Sequence, residues 1–140
     1  SNEACMFVTV FFGIIYPYGK FVYSCAGHNP PLILRDNEIS ELRFTKAPVI
    51  GIEEYSYKNS EIELEDGDTV FLYTDGLTES VRKFETGEEE IYGINRLKAA
   101  VKKGKIAEEI ISAVRADYNE FTSQTEQFDD VTMLAFTYHR

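Results

Sequence analysis

The run Phe71-Leu72-Tyr73-Thr74-Asp75-Gly76-Leu77-Thr78-Glu79 decides how this chain is read. Phe71 to Tyr73 is an apolar strand that delivers one carboxylate, Asp75, to its end, and Gly76 then turns the chain. A second such place lies near the C-terminus, where Asp129-Asp130 stand directly before the strand-like Val131-Thr132-Met133-Leu134-Ala135-Phe136. If the two strands lie side by side, their aspartate tips build a divalent-metal site. Hard cations such as Mg²⁺ or Mn²⁺ take carboxylate oxygens and retain waters. Spacing alone leaves a second reading open, because an Asp before Gly at a strand end also serves as a turn former.

Working outward, Met6 to Ile15 is nearly all apolar, β-branched or aromatic, and predicts a strand buried on both faces. Tyr16 to Lys20 turns the chain, and Phe21 to Cys25 returns as the second arm of a hairpin. Ala26-Gly27-His28-Asn29-Pro30-Pro31 breaks the sheet, Leu32 to Leu34 resumes it, and Asp36-Asn37-Glu38 turns into Ile39 to Phe44. The first 44 residues thus read as an antiparallel meander. Lys46 to Ile52 is a loop, and Ser60, Ile62 and Leu64 alternate with Glu61 and Glu63 as in a half-exposed strand. Arg82 to Glu90 is charged and reads as a mobile loop. From Gly93 the period changes to helical. Ile94, Leu97 and Val101 mark one helix, and Ile106, Ile110, Val114, Tyr118 and Phe121 mark a longer one, with Gly104 between them. Thr122 to Phe128 is a polar link. The order of strands, helix pair and strand predicts an α+β layered fold with a mainly antiparallel sheet.

The 140 residues form one domain, with residues 1–5 read as a tag or disordered lead-in. A strand buried on both faces needs covering layers, and little chain remains to supply them. The chain is therefore expected to be a fragment, incomplete at its N-terminus, with an unpaired edge that favours a homodimer or aggregation. Acidic residues outnumber Lys plus Arg by 24 to 14, a net charge of −10, which argues against nucleic-acid binding. The same field disfavours an anionic phosphosubstrate unless bound cations reverse its sign locally. Cys5 and Cys25 lack metal-ligand spacing and read as buried, reduced thiols. No apolar run approaches the ~20 residues of a membrane span, and no signal peptide is evident, so a soluble, cytoplasmic protein without membrane contact is expected.

Taken together, the motifs resemble the PPM-type (protein phosphatase type 2C-like) serine/threonine phosphatases, in their bacterial SpoIIE/RsbU-like branch. The residues that carry the resemblance are Met6-Phe7-Val8-Thr9 with Gly13, Ala26 to Pro31, Pro48-Val49-Ile50-Gly51-Ile52 and Gly67-Asp68. Tyr73-Thr74-Asp75-Gly76-Leu77-Thr78-Glu79, Tyr92-Gly93 with Leu97, and Phe128-Asp129-Asp130-Val131-Thr132 complete the set. The resemblance implies a β-sandwich flanked by helices with a two-metal Mn²⁺ or Mg²⁺ site at one end of the sheets. It implies that Asp75 and Asp129 are catalytic metal ligands, with Asp130 as their neighbour. It further implies hydrolysis of phosphoserine or phosphothreonine on a phosphorylated regulatory protein, of the anti-sigma-factor-antagonist type, under control of an upstream sensor or receiver domain. The family's N-terminal half carries an Asp followed by a Gly-His-Gly-type turn that supplies a bridging ligand. Nothing here matches that turn, in keeping with a C-terminal portion of the domain. Activity is accordingly expected of a full-length parent rather than of this segment alone.

The chemistry suits the residues. Two divalent ions about 3.5–4 Å apart can hold a bridging hydroxide and clamp phosphate oxygens, so no covalent phosphoenzyme is needed. Gly76 supplies turn geometry, and Glu79 either orients Asp75 through a water or is simply solvated. Thr132 either bonds an aspartate or is an ordinary strand threonine. His28, beside Asn29 in the loop before the Pro30-Pro31 pair, either transfers a proton or pins its own loop. An aspartyl nucleophile of the haloacid-dehalogenase pattern would need a second Asp where Leu77 stands. The rival from another class is a non-catalytic phosphatase-like module that binds a partner protein. Arg82 to Glu90 and the Lys98, Lys102, Lys103 and Lys105 group would serve such a contact, unless the lysines are only a solvated face.

Overall fold

A computed structural model of the chain describes residues 4, 6–123 and 130–140. It contains nine strands and three α-helices among the described residues. β1 (Val10–Ile15), β2 (Lys20–Ala26) and β5 (Ser60–Glu63) form one antiparallel sheet in the order β1-β2-β5. β3 (Leu32–Arg35), β4 (Glu38–Glu41), β6 (Thr69–Tyr73) and β9 (Met133–Thr137) form a second, in the order β4-β3-β6-β9. The helices are α1 (Asp75–Thr78), α2 (Gly93–Val101) and α3 (Ala107–Thr122).

β6 is the strand that organises these layers. Its side chains alternate with the period of two that any strand imposes. Phe71 and Tyr73 enter a cluster with Leu32 and Leu34 of β3 and with Leu97, Val101, Ile110, Val114, Tyr118 and Phe121 of the helices. Val70 and Leu72 enter a second cluster with Ile33 and with Phe21 and Tyr23 of β2. One sheet therefore packs on the other through one face and on the helices through its opposite face. The α+β, mainly antiparallel sandwich flanked by helices is the architecture expected from the sequence.

The helical spacing is also observed. Ile110, Val114, Tyr118 and Phe121 are the buried stripe of α3. Glu108 and Glu109 occupy its first turn, where a negative charge meets the helix dipole favourably. The Glu109 carboxylate accepts the Lys105 N–H at 2.9 Å, satisfying a donor just before the helix.

Three expectations need correction. The first 44 residues are not one meander, because β2 pairs with β1 and β5 while β3 pairs with β4 and β6. The chain changes sheets between Ala26 and Leu32. Gly27 makes this crossing with φ of +63°, and a Cβ there would collide with Val49. Pro30 and Pro31 lack the N–H donors that would extend the ladder.

Nor is Met6 to Ile15 a strand buried on both faces. The strand starts at Val10, and among the described residues β1 is an edge strand paired with β2. Phe11, opposite Cys25, packs against the core cluster of Phe21 and Tyr23, whereas Phe12, Ile14 and Ile15 are exposed.

Finally, Arg82 to Glu90 is no loop. β7 (Val81–Lys83) and β8 (Glu89–Ile91) make a hairpin. Its opposite charges sit directly across from each other, Arg82 to Glu90 at 2.6 Å and Lys83 to Glu89 at 3.3 Å, which favours the pairing. Gly87, with φ of +86°, closes the turn.

Candidate functional site

β6 and β9 run antiparallel, and their pairing ends at Tyr73 opposite Met133. The C-terminal end of β6 and the N-terminal end of β9 therefore lie at the same edge of the sheet. Thr74 continues the stitching past the last strand pair. Its N–H donates to the Thr132 carbonyl at 3.1 Å, and its hydroxyl oxygen accepts the Thr132 N–H at 3.1 Å. The same hydroxyl donates to the Asp130 carbonyl at 3.4 Å. One side chain thus ties the segment carrying Asp130 to the residue before Asp75.

α1 begins at Asp75 itself, with Thr74 extended at φ −95° and ψ 160°. Gly76 is helical and buried rather than the hinge of a sharp turn, and its carbonyl accepts the Ser80 hydroxyl at 2.6 Å. The Glu79 N–H closes the turn on the Asp75 carbonyl at 2.8 Å, while the Glu79 side chain is exposed. Asp75 is exposed, and its Oδ1 accepts a hydrogen bond from Nδ2 of Asn29. The sheet-crossing loop thereby brings Asn29 to the aspartate across 46 residues of sequence.

His28 is held within that loop. Its Nδ1 donates to the Asn29 carbonyl at 2.9 Å, and its own carbonyl accepts the Cys25 thiol at 3.1 Å. The ring lies 6.2 Å from that of Phe11. These bonds shape the loop that presents Asn29, which favours the pinning role over proton transfer. Thr132 acts through its main chain, on Thr74. Tyr73 lies under the site, and burial, then the charges of Glu41 and Asp75, push its phenol up to about 12. It stays neutral at any ordinary pH.

Asp129 lies outside the described residues, as do Cys5 and most of the polar link before it. Asp75 and Asp130 are exposed carboxylates on neighbouring strand ends, and their hard oxygens fit Mg²⁺ or Mn²⁺ in kind. Among the described residues no three His, Cys, Asp or Glu side chains gather into a metal-binding group, so these two alone could not complete a coordination shell. Thr74, Ser80 and Tyr118 were not singled out by sequence reasoning. For Thr74 a signal existed: a Thr at the switch from strand to helix is a capping type. Here its hydroxyl reaches across to Asp130 and Thr132, just before β9, instead of capping α1.

The family model described as Stage II sporulation protein E (SpoIIE) matches residues 1–139. The chain belongs to the SpoIIE family. Within the PPM-type phosphatases it stands in the SpoIIE/RsbU-like branch. This SpoIIE-family chain is 29% identical over 137 residues to Protein IcfG of Synechocystis sp., covering 96% of the chain and 21% of that protein. It is 39% identical over 82 residues to the phosphoserine phosphatase RsbU of Bacillus subtilis, covering 55% of the chain and 24% of RsbU. The chain thus spans less than a quarter of the length of these relatives.

Among solved structures, it resembles the RsbU and RsbW domains of Rv1364c from Mycobacterium tuberculosis, with TM-score 0.73 and 25% identity. That likeness covers 94% of the chain and 36% of the other. It also shares the fold of the SpoIIE phosphatase domain from Bacillus subtilis presoaked with Mn, with TM-score 0.68 and 19% identity over 94% of the chain and 56% of that one. No α-helix among the described residues is long and apolar enough to cross a membrane.

Proposed function

We propose that the chain is the C-terminal part of a metal-dependent phosphatase domain that removes phosphate from phosphoserine or phosphothreonine on a regulatory protein. The observation that carries this reading is the shared end of β6 and β9, where Thr74 stitches the Asp130 segment to Asp75. Asp75 and Asp129, with Asp130 beside them, would hold Mn²⁺ or Mg²⁺. When bound, such ions lower the pKa of a coordinated water and neutralise phosphoryl oxygens. The Asn29 amide fixes one oxygen of Asp75 and leaves the carboxylate's other oxygen for a cation. The His28 loop keeps that amide in place. A chain with net charge −10 needs cations at this edge before a phosphorylated protein can approach. Membership in the SpoIIE/RsbU-like branch supports a substrate of the anti-sigma-factor-antagonist type, in bacterial signalling.

The rival reading, a binding module without catalysis, draws less support from the surface. Lys98 is engaged with Glu41 at 3.2 Å, and the charges of the β7–β8 hairpin pair with one another. The deciding experiment measures Mn²⁺ binding by calorimetry and phosphate release from a phosphoserine protein, using the full-length protein and its Asp75→Asn variant. Binding and turnover that both collapse in the variant are expected. Turnover at the wild-type rate in Asp75→Asn, with Mn²⁺ saturating, would sink the assignment.

A further inference from the structure

α1 is a single turn, and an isolated turn has almost no stability of its own because nucleation costs more than one hydrogen bond returns. Something must hold it, since Asp75 is its first residue. Its C-terminal side is fixed by Ser80. The Ser80 hydroxyl donates to the Gly76 carbonyl at 2.6 Å, satisfying one of the acceptors that a helix end leaves open. The same hydroxyl oxygen lies 2.6 Å from the phenol oxygen of Tyr118 on α3.

Proton bookkeeping orders this pair. A serine hydroxyl has one proton, and it is spent on Gly76, so the Tyr118 O–H must be the donor to Ser80 Oγ. The result is a one-way relay: Tyr118 O–H to Ser80 Oγ, then Ser80 O–H to the Gly76 carbonyl. Tyr118 is 6% exposed and its ring meets Tyr92 edge-on at 5.5 Å between centroids, so the phenol has little freedom to leave. The Tyr92 N–H in turn donates to the Ser80 carbonyl at 2.8 Å. Ser80 is therefore gripped at its hydroxyl by α3 and at its carbonyl by the residue that opens α2.

We propose that Ser80 and Tyr118 are positioning residues for the metal site: their relay sets the α1 turn on which Asp75 stands, so the geometry of the Asp75 carboxylate depends on α3. This rests on the reading of Asp75 as a cation ligand and adds what holds that ligand in place. Asp75 is then held from two sides, by Asn29 at its Oδ1 and by the relay at the carbonyl of Gly76, the next residue. Any input that shifts or rotates α3 would alter cation affinity without touching a ligand.

The test compares full-length wild type with Tyr118→Phe and Ser80→Ala. Direct Mn²⁺ binding is read by calorimetry, and amide hydrogen exchange is read at Leu77 and Glu79. Tyr92→Phe serves as control, since it removes only the phenol hydroxyl that bonds Asp117 and keeps both the ring beside Tyr118 and the main-chain bond to Ser80. Tyr118→Phe and Ser80→Ala should each weaken Mn²⁺ binding about five- to tenfold, the equilibrium worth of one net hydrogen bond, and speed exchange in α1. Ser80→Thr, which keeps the hydroxyl, should restore affinity, and Tyr92→Phe should leave it unchanged.

Faster exchange with wild-type Mn²⁺ affinity would overturn the positioning role and leave the Asp75 assignment standing. Unchanged exchange would overturn the relay itself. Mn²⁺ affinity that is the same in wild type and Asp75→Asn would instead remove the metal reading, and this proposal with it.

Discussion

β6 lies between β3 and β9 with Val70 and Phe71 at 0% and 1% exposure, whereas β1, with β2 alone beside it among the described residues, leaves Phe12 at 61% and Ile14 at 42%. The sequences of the two strands are equally apolar, TVFLY against VFFGII. What separates them is the company each keeps. β6 has a sheet on one face and helices on the other, so each of its side chains finds a packing partner. β1 meets the core through Phe11. Hydropathy states what a strand would gain by being covered; topology decides whether it is. The aspartate that carries the functional reading stands just beyond the end of the better-covered strand.

The most direct way to break this comparison is to truncate a phenylalanine in each strand. Phe71→Ala should cost about 3–5 kcal/mol, because the side chain is fully packed and the site has layers on both sides. Phe12→Ala should change stability by no more than about 0.5 kcal/mol. Urea unfolding at constant m-value measures both, and comparable losses would show that the outer face of β1 is covered in solution.

A smaller effect sharpens the picture at the strand end. Thr74→Val replaces with a methyl group the hydroxyl that accepts from Thr132 and donates to Asp130, keeping the side chain's shape. A loss of about 1–2 kcal/mol is expected, with Thr74→Ser near wild type. Faster amide exchange at Thr132 in the valine variant alone would locate the loss at the β6–β9 junction. Equal exchange in both variants would mean the clamp is not needed.

The least effect belongs to the helix layer and depends on pH. Burial pushes the Asp117 carboxyl up, but hydrogen bonds from Arg96 and Tyr92 outweigh it and hold the group below its ordinary 3.8. Its folded value is therefore lower than its unfolded one. The stabilisation is full above about pH 4 and is lost as pH falls through the folded value, because the unfolded chain then binds the proton more readily. Asp117→Asn should thus cost about 1 kcal/mol at pH 6 and progressively less toward pH 3. A gap between the two proteins that widens on acidification would reverse the sign and discard the pairing.

Much of this was legible in the residues. The alternation in β6, the two helical periods and the place of Asp75 beyond the tip of β6 all follow from local chemistry that needs no knowledge of the partner. What was not legible depends on distant partners. Nothing local tells β2 and β3 apart as members of different sheets, so they read as one meander. The charges of Arg82 to Glu90 signal solvent on their own, and only pairing across the hairpin turns them into strand neighbours. Asn29 could be picked out by its loop, but its bond to Asp75 spans 46 positions. The Ser80–Tyr118 bond spans 38, and both residues read locally as a turn polar group and a helix core aromatic.

The antiparallel register of β6 and β9 works as a ruler. Tyr73 opposite Met133 fixes how far apart the two aspartate segments stand, whatever the length of chain that runs between them. The turn of the β7–β8 hairpin, closed by Gly87 and exposed at its tip, can therefore be lengthened without moving the carboxylates. A slip of one residue in the β6–β9 ladder has the opposite character. It would turn the inward residues of β9 outward and carry the Asp130 segment away from Thr74 in one step. Loop insertions should be silent at this site, and single-residue deletions in either strand should not.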